Sequence, residues 1–296
     1  MNARAKINLR LKVLALGDSG YHWIETVFQR LELADRITVS VSDGGGVELD
    51  VSGDESLIMA SGPAEQNLAV LAAKSYQERA DWHPRVGIRV EKLIPVGAGL
   101  GGGSADAAAV LRALNALAPA PLQAAELLSL AASIGSDVPF LVSDDVIAVG
   151  WGRGERLLAL PPLPRRPVLL GIPPLHISTK EAYGWLGRSR GAEPAPPTLP
   201  GVAFSSWENA AAHAGNDFFA EVAARHPVVG AIRESMLARG ARLAMLTGSG
   251  SAVFGIFDPD ASPEPEPRGS GWHEIRTATA SGGQSDWGLR TVRPQD

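Results

Sequence analysis

The chain has 296 residues, 45% of them hydrophobic and 20% charged, with a formal net charge of −5. That composition supports a buried core and, at roughly 150 residues each, about two domains; 33 Gly and 22 Pro stay below the roughly 25–30% of a low-complexity chain. The acidic balance argues against nucleic acid as a partner, and the absence of cysteine excludes disulfides, thiolate nucleophiles and Cys-ligated zinc. The opening residues carry Arg4, Lys6, Arg10 and Lys12 and no clean apolar signal region. No run approaches the roughly 18 apolar residues of a membrane span. The sequence predicts a soluble, cytoplasmic chain with no membrane partner.

Residues 5–16 read as a strand, with Ile7, Leu9, Leu11 and Val13 alternating against Asn8, Arg10 and Lys12. Gly17-Asp18-Ser19-Gly20 reads as a turn, and 21–34 as mixed. Residues 36–42 and 46–52 suggest a strand pair joined at Asp43-Gly44-Gly45. A helix is expected over 65–80 and a strand over 85–94. A helix over 104–117 stops at Pro119 and Pro121, and a second follows over 122–134. Prolines 161, 162, 164 and 167 mark a boundary near 158–167, with a strand over 167–172. Residues 187–201 read as a surface loop, 207–224 and 227–239 as helices, and 252–257 as a strand, with a Pro-rich loop over 258–271. Period-two alternation favours an α+β fold over a doubly wound parallel sheet.

The densest signal is Pro95-Val96-Gly97-Ala98-Gly99-Leu100-Gly101-Gly102-Gly103-Ser104 between a strand and a helix. Glycine permits positive φ and close backbone approach. Such a loop at a helix N-terminus aims several N–H groups at one point and suits phosphate. No Lys follows the glycines, so the loop is not a Walker A motif. Gly97-x-Gly99-x-x-Gly102 matches a dinucleotide fingerprint literally, but the acidic residue due about 20 positions on is missing. The six histidines show no His-x-x-x-His spacing, and no metal-ligating cluster is legible.

This loop, with Ala5-Lys6-Ile7-Asn8-Leu9 before it and Leu246-Thr247-Gly248-Ser249-Gly250-Ser251 after it, resembles the three ordered motifs of the GHMP small-molecule kinases. Asp18-x-Gly20-Tyr21-His22, Thr26-x-Phe28-Gln29, Gly135-x-Asp137-Val138-Pro139, Gly152-Arg153-Gly154-Glu155 and Asn216-Asp217 narrow it to the branch acting on a cytidine diphosphate-linked methylerythritol. The resemblance implies a two-domain α+β kinase, with an N-terminal ATP-binding domain at 1–160. It implies an α/β-sandwich-like C-terminal domain at 161–296, the active site in the cleft between them, and a monomer or weak homodimer. ATP with Mg²⁺ would be the phosphoryl donor.

The same resemblance implies Asp137 as catalytic base and Lys6 as its charged neighbour. Read as bare residues, they are equally an Asx-turn before Pro139 and an exposed strand Lys. ATP would lie on Pro95 to Ser104, with Asn67 and Lys92 near the base; unaided, these two are a helix-start Asn and a solvated strand Lys. Ser104 is a candidate N-cap or a phosphate or Mg²⁺ contact, and Asp106 a favourable helix-start charge or a metal ligand. The substrate would meet Asn8, Tyr21, His22, Thr179, Tyr183, Gly248 and Ser249, with Tyr21 and Tyr183 stacking on the pyrimidine. A nucleotide-binding module without turnover and a dinucleotide-dependent oxidoreductase are the competing readings.

Overall fold

The computed structural model describes residues 1–16, 22–190, 199, 204–266 and 271–281. β1 (Asn2–Leu16) runs antiparallel to β2 (His22–Ser42), with register shifts at Arg4/Lys6, Asn8/Arg10 and Val13/Ala15. The stretch 21–34, mixed by sequence, is from His22 on part of one long strand. Ile24 to Leu31 are buried without a break, as in a strand covered on both faces, and so they lack the alternation that would reveal it. The turn expected at Gly17–Gly20 and the expected stacking residue Tyr21 lie outside the described residues.

β3 (Val47–Gly53) is followed by α1 (Glu55–Ala60), a single 3-10 turn (Ala64–Gln66), α2 (Leu68–Ala80) and β4 (Arg85–Lys92). The expected pairing of 36–42 with 46–52 does not form. β3 pairs in parallel with β4, and β4 separates it from β2. Burial explains the order. β4 buries Val86, Ile88, Val90 and Lys92 while β3 has no buried residue, so β4 takes the interior position. α1 was not foreseen; Asp54 caps it by accepting the Ser56 N–H.

α3 (Gly102–Leu117) packs on β1 and β2, α2 on β3 and β4, and α5 (Val138–Val142) on Phe28 of β2, while α4 (Ala124–Ile134) packs against these helices; the hairpin β5 (Ile147–Gly152) and β6 (Arg156–Ala159) extends the sheet. Leading from the prolines, β7 (Pro167–Ile172) enters a second sheet. α6 (Thr179–Arg190) is helical where 187–190 were read as loop; 191–198 and 200–201 lie outside the described residues. The helix expected over 207–224 is two, α7 (Trp207–His213) and α8 (Phe219–Arg225). Between them β8 (Gly215–Asn216) pairs in parallel with Arg10 and Leu11 of β1. α9 (Pro227–Ala238), β9 (Leu243–Leu246), β10 (Val253–Ile256) and β11 (His273–Ala278) complete the fold.

The result is α+β, as expected: a seven-stranded mixed sheet ordered β3-β4-β2-β1-β8 with β5 on β2 and β6 on β5, and a four-stranded antiparallel sheet ordered β11-β7-β10-β9. β8 belongs to the first sheet, on β1, although it lies late in the chain.

Candidate active site

Lys6 and Asn8 leave β1 on the same face. Neither is exposed, contrary to the simple strand reading: each is 3% accessible, because the glycine loop and the turn after β9 cover that face. The Lys6 ammonium donates to Asn8 Oδ1 at 2.8 Å and to the Gly99 carbonyl at 2.9 Å, and lies 3.1 Å from Asp137 Oδ2. Asn8 Nδ2 donates to Thr26 Oγ1 at 2.8 Å, and Asn8 Oδ1 also accepts the Gly248 N–H at 3.0 Å. Thr247 Oγ1 accepts the Asn8 N–H at 3.1 Å. The Lys6 ammonium and the Asn8 amide are held by the protein on every side, the condition for charged groups to keep one geometry in a low dielectric.

Asp137 stands at the N-cap of α5, with 29% of its side chain accessible. The short helix is fixed from behind. Phe140 stacks on Phe28 at 4.9 Å, and the buried Arg30 guanidinium donates to the carbonyls of Phe140, Leu141 and Ser143. Burial lowers the Arg30 pKa to about 9. These carbonyls are the negative end of α5, so Arg30 anchors the helix that carries Asp137.

The glycine loop wraps over Lys6. Gly99 has φ +82°, and a Cβ there would lie 2.3 Å from the Thr247 carbonyl oxygen; no side chain fits. Gly101, at φ +73°, is the N-cap of α3, where a Cβ would lie 3.0 Å from Lys6 Cε. Ser104 is therefore inside the helix rather than its cap. A cavity of about 840 Å³ opens beside this cluster. Of the predicted site residues its wall carries Lys6, Asn8, His22, Gly99, Gly101, Ser104, Asp137, Thr179, Tyr183, Gly248 and Ser249.

At the far end of the cavity the His22 ring stacks on Tyr183, with centroids 4.4 Å apart and planes at 18°. Phe218 meets Tyr183 edge-on at 4.9 Å. Burial lowers the His22 pKa below 6.5. Burial, and then the Asp137 charge, push the Tyr183 hydroxyl up to about 12. Thr179 and Ser249 share a hydrogen bond of 3.1 Å across the rim.

Other expected residues are not on this wall. Pro95, Val96, Gly97, Ala98, Leu100, Gly102 and Gly103 are off the cavity lining; Ala98, Leu100 and Gly102 are buried and Val96, Gly97 and Gly103 exposed. Asn67 is the N-cap of α2, its Oδ1 accepting the Ala69 N–H. Lys92 is not a solvated strand residue. It is buried on Asp35 at 2.5 Å and Asp106 at 2.8 Å. Asp106 thus pairs with Lys92, and neither earlier reading of it, helix-start charge or metal ligand, describes that contact. Sequence reasoning assigned no role to Phe28, Arg30, Asp35, Asn216 or Phe218. Asn216 was visible as part of a motif. It donates to the carbonyls of Leu246 and Gly248 and accepts the Phe218 N–H, joining the turn over Asn8 to the aromatic end.

Residues 67–153 match the GHMP kinases N terminal domain and 202–265 the GHMP kinases C terminal. A 4-diphosphocytidyl-2-C-methyl-D-erythritol kinase of Moorella thermoacetica is 42% identical over 259 residues, 86% of this chain and 88% of its own length. Its counterpart from Solibacter usitatus is 37% identical over 262 residues, 87% and 80% of the two chains. A crystal structure of 4-(cytidine 5'-diphospho)-2C-methyl-D-erythritol kinase superposes with a TM-score of 0.76 at 33% identity, over 96% of this chain and 99% of that one. The glycine loop and the lysine–carboxylate pair thus sit in a sequence alike over most of its length to enzymes of one activity, and the chain belongs to the GHMP kinase family, in its branch of 4-diphosphocytidyl-2-C-methyl-D-erythritol kinases.

Proposed function

We propose that the chain transfers the γ-phosphoryl group of ATP to the 2-hydroxyl of 4-diphosphocytidyl-2-C-methyl-D-erythritol. The observation that carries this is the 3.1 Å pair of Lys6 Nζ and Asp137 Oδ2 on a cavity walled by the glycine loop at one side and by stacked rings at the other. Phosphoryl transfer asks a protein for alignment and charge more than for covalent chemistry. Asp137 accepts the proton of the substrate hydroxyl as its oxygen bonds to the γ-phosphorus. The bond from that phosphorus to the β,γ-bridging oxygen breaks, and ADP leaves with the electron pair. Lys6 faces both the hydroxyl and the transferring group and offsets the charge that develops.

The ATP phosphates would follow the Pro95–Ser104 loop to the N-terminus of α3, with Asn67 on the nucleotide side; Lys92, buried on Asp35 and Asp106, would not touch the nucleotide. The cytosine would enter at His22 and Tyr183, with Tyr21 as the second ring. Asn8, Thr179, Gly248 and Ser249 would hold the span between. The division into a nucleotide-binding part at 1–160 and a C-terminal part at 161–296 belongs to the same proposal. Mg²⁺ fits here as a companion of the nucleotide. Among the described residues no three His, Asp or Glu converge as ligands, and Mg²⁺ favours phosphate oxygens and water with one or two protein oxygens; Ser104, on the cavity wall, offers a hydroxyl. When bound, the ion draws charge from the β- and γ-phosphates.

The test is ATP consumption with the cytidylyl substrate, homoserine and mevalonate offered in parallel. Turnover with the cytidylyl substrate alone is expected, because the other two have no base to stack. Turnover with homoserine or mevalonate instead, or ATP binding with no turnover on any alcohol, refutes the assignment.

A further inference from the structure

One buried ion cluster is not used by the chemistry above. Lys92 ends β4, immediately before the glycine loop; Asp106 is in α3, immediately after it; Asp35 is in the middle of β2. The Lys92 ammonium lies between the two carboxylates, 2.5 Å from Asp35 Oδ2 and 2.8 Å from Asp106 Oδ2. All three side chains are at most 5% accessible. Asp35 Oδ1 accepts the N–H groups of Leu93, at 2.6 Å, and Ile94, at 2.8 Å, the first two residues past β4. A Cβ on Gly102, the first residue of α3, would lie 3.5 Å from Lys92 Nζ, so the ammonium sits directly beneath the helix start.

Burying three ionisable groups is costly, and a well-packed apolar trio would stabilise a fold at least as well. One ammonium serves two carboxyl groups here, and Asp106 Oδ1 has no hydrogen-bond partner. Burial, opposed by the Lys92 charge, pushes Asp106 up to about 8. An arrangement poor for stability alone asks for another purpose. Its location supplies one. It is the point where both stems of the loop, Lys92 to Ile94 on entry and Gly102 to Asp106 on exit, are tied to the sheet.

Resting on the reading of this loop as the ATP phosphate site, we propose that Asp35, Lys92 and Asp106 are positioning residues for the nucleotide: they lock the two stems of the loop together so that its amides and the start of α3 converge on the phosphates. None of the three touches the acceptor alcohol in this role. Loosening the clamp weakens ATP and leaves the other substrate's binding unchanged.

The experiment compares Asp106→Leu, which removes the Lys92 partner at similar size, with Asp106→Asn, which keeps an acceptor for it. ATP binding to the protein and the KM for each substrate are measured for both, with melting temperatures. Asp106→Leu is expected to raise the ATP Kd and KM about tenfold, with the alcohol KM within twofold of the parent, and Asp106→Asn is expected to restore ATP binding. Asp35→Asn keeps the acceptor for the two loop amides and drops the charge facing Lys92; it must show the same split, and it decides the matter if Asp106→Leu does not fold. Unchanged ATP binding, or equal losses for both substrates with a lower melting temperature, overturns the proposal. Failure of the parent protein to bind ATP instead overturns the phosphate-site reading on which it rests.

Discussion

The two ends of the cavity are built from different physics. At the Lys6 end the contacts are polar and fixed: Asn8 alone engages Lys6, Thr26, Thr247 and Gly248. At the His22 end the contacts are ring on ring, His22 on Tyr183 and Tyr183 on Phe218, with no hydrogen bond between them. The first end suits a step in which charge moves, since fixed dipoles need no reorganisation. The second suits recognition of a flat, aromatic group, where contact area matters more than the position of any one atom. The difference teaches which measurements should separate: changes at the first end should fall on kcat, those at the second on KM.

The sharpest way to break that division is Asp137→Asn. It keeps the shape of the α5 start and removes the proposed proton acceptor. A loss in kcat of about 10²–10⁴-fold is expected, with the melting temperature near that of the parent; steady-state rates and thermal melts on one preparation check both, and full activity would remove Asp137 from the chemistry. Next in size is Tyr183→Leu, which trades a stacking face for an aliphatic group beside Phe218. The KM of the cytidylyl substrate should rise about tenfold, equivalent to about 1.4 kcal/mol, while the ATP KM stays put. An equal effect on both substrates would erase the contrast between the two ends.

The smallest effect concerns pH. Burial holds the folded pKa of His22 below 6.5, so the neutral ring is the folded form near pH 7. The stability this lends is fully present above 6.5 and is lost as pH falls through the lower folded value. Affinity for the cytidylyl substrate should be flat from about pH 7 to 8 and weaken as the pH falls below 6.5. His22→Asn should flatten that acid limb, which substrate titrations across pH would reveal; an unchanged limb would assign the titration elsewhere.

Much of the Lys6 end was legible because its signals are local. The alternation of β1 and the run of glycines before α3 are both contiguous. What could not be read was who sits opposite whom. Lys92 looked like a solvated strand residue because its partners, Asp35 and Asp106, are 57 and 14 residues away. β3 looked like half of a hairpin until β4, from some forty residues later, came between it and β2. β8 is two residues long, too short for any periodicity, and so vanished into a single long helix. The aromatic end suffered for the same reason. Phe218 comes two residues after β8 and has no pattern of its own.

That two-residue strand also sets a length scale. Because Gly215 and Asn216 are stitched to Arg10 and Leu11, the ring of Phe218 and the amide of Asn8 are referred to the same strand. At about 3.3 Å per residue, β1 measures off roughly 10 Å between Asn8 and Leu11. On the proposed placement of the substrate the cleft works like a caliper: an acceptor whose tether is one phosphate too short or too long would seat its base or present its alcohol, but not both at once.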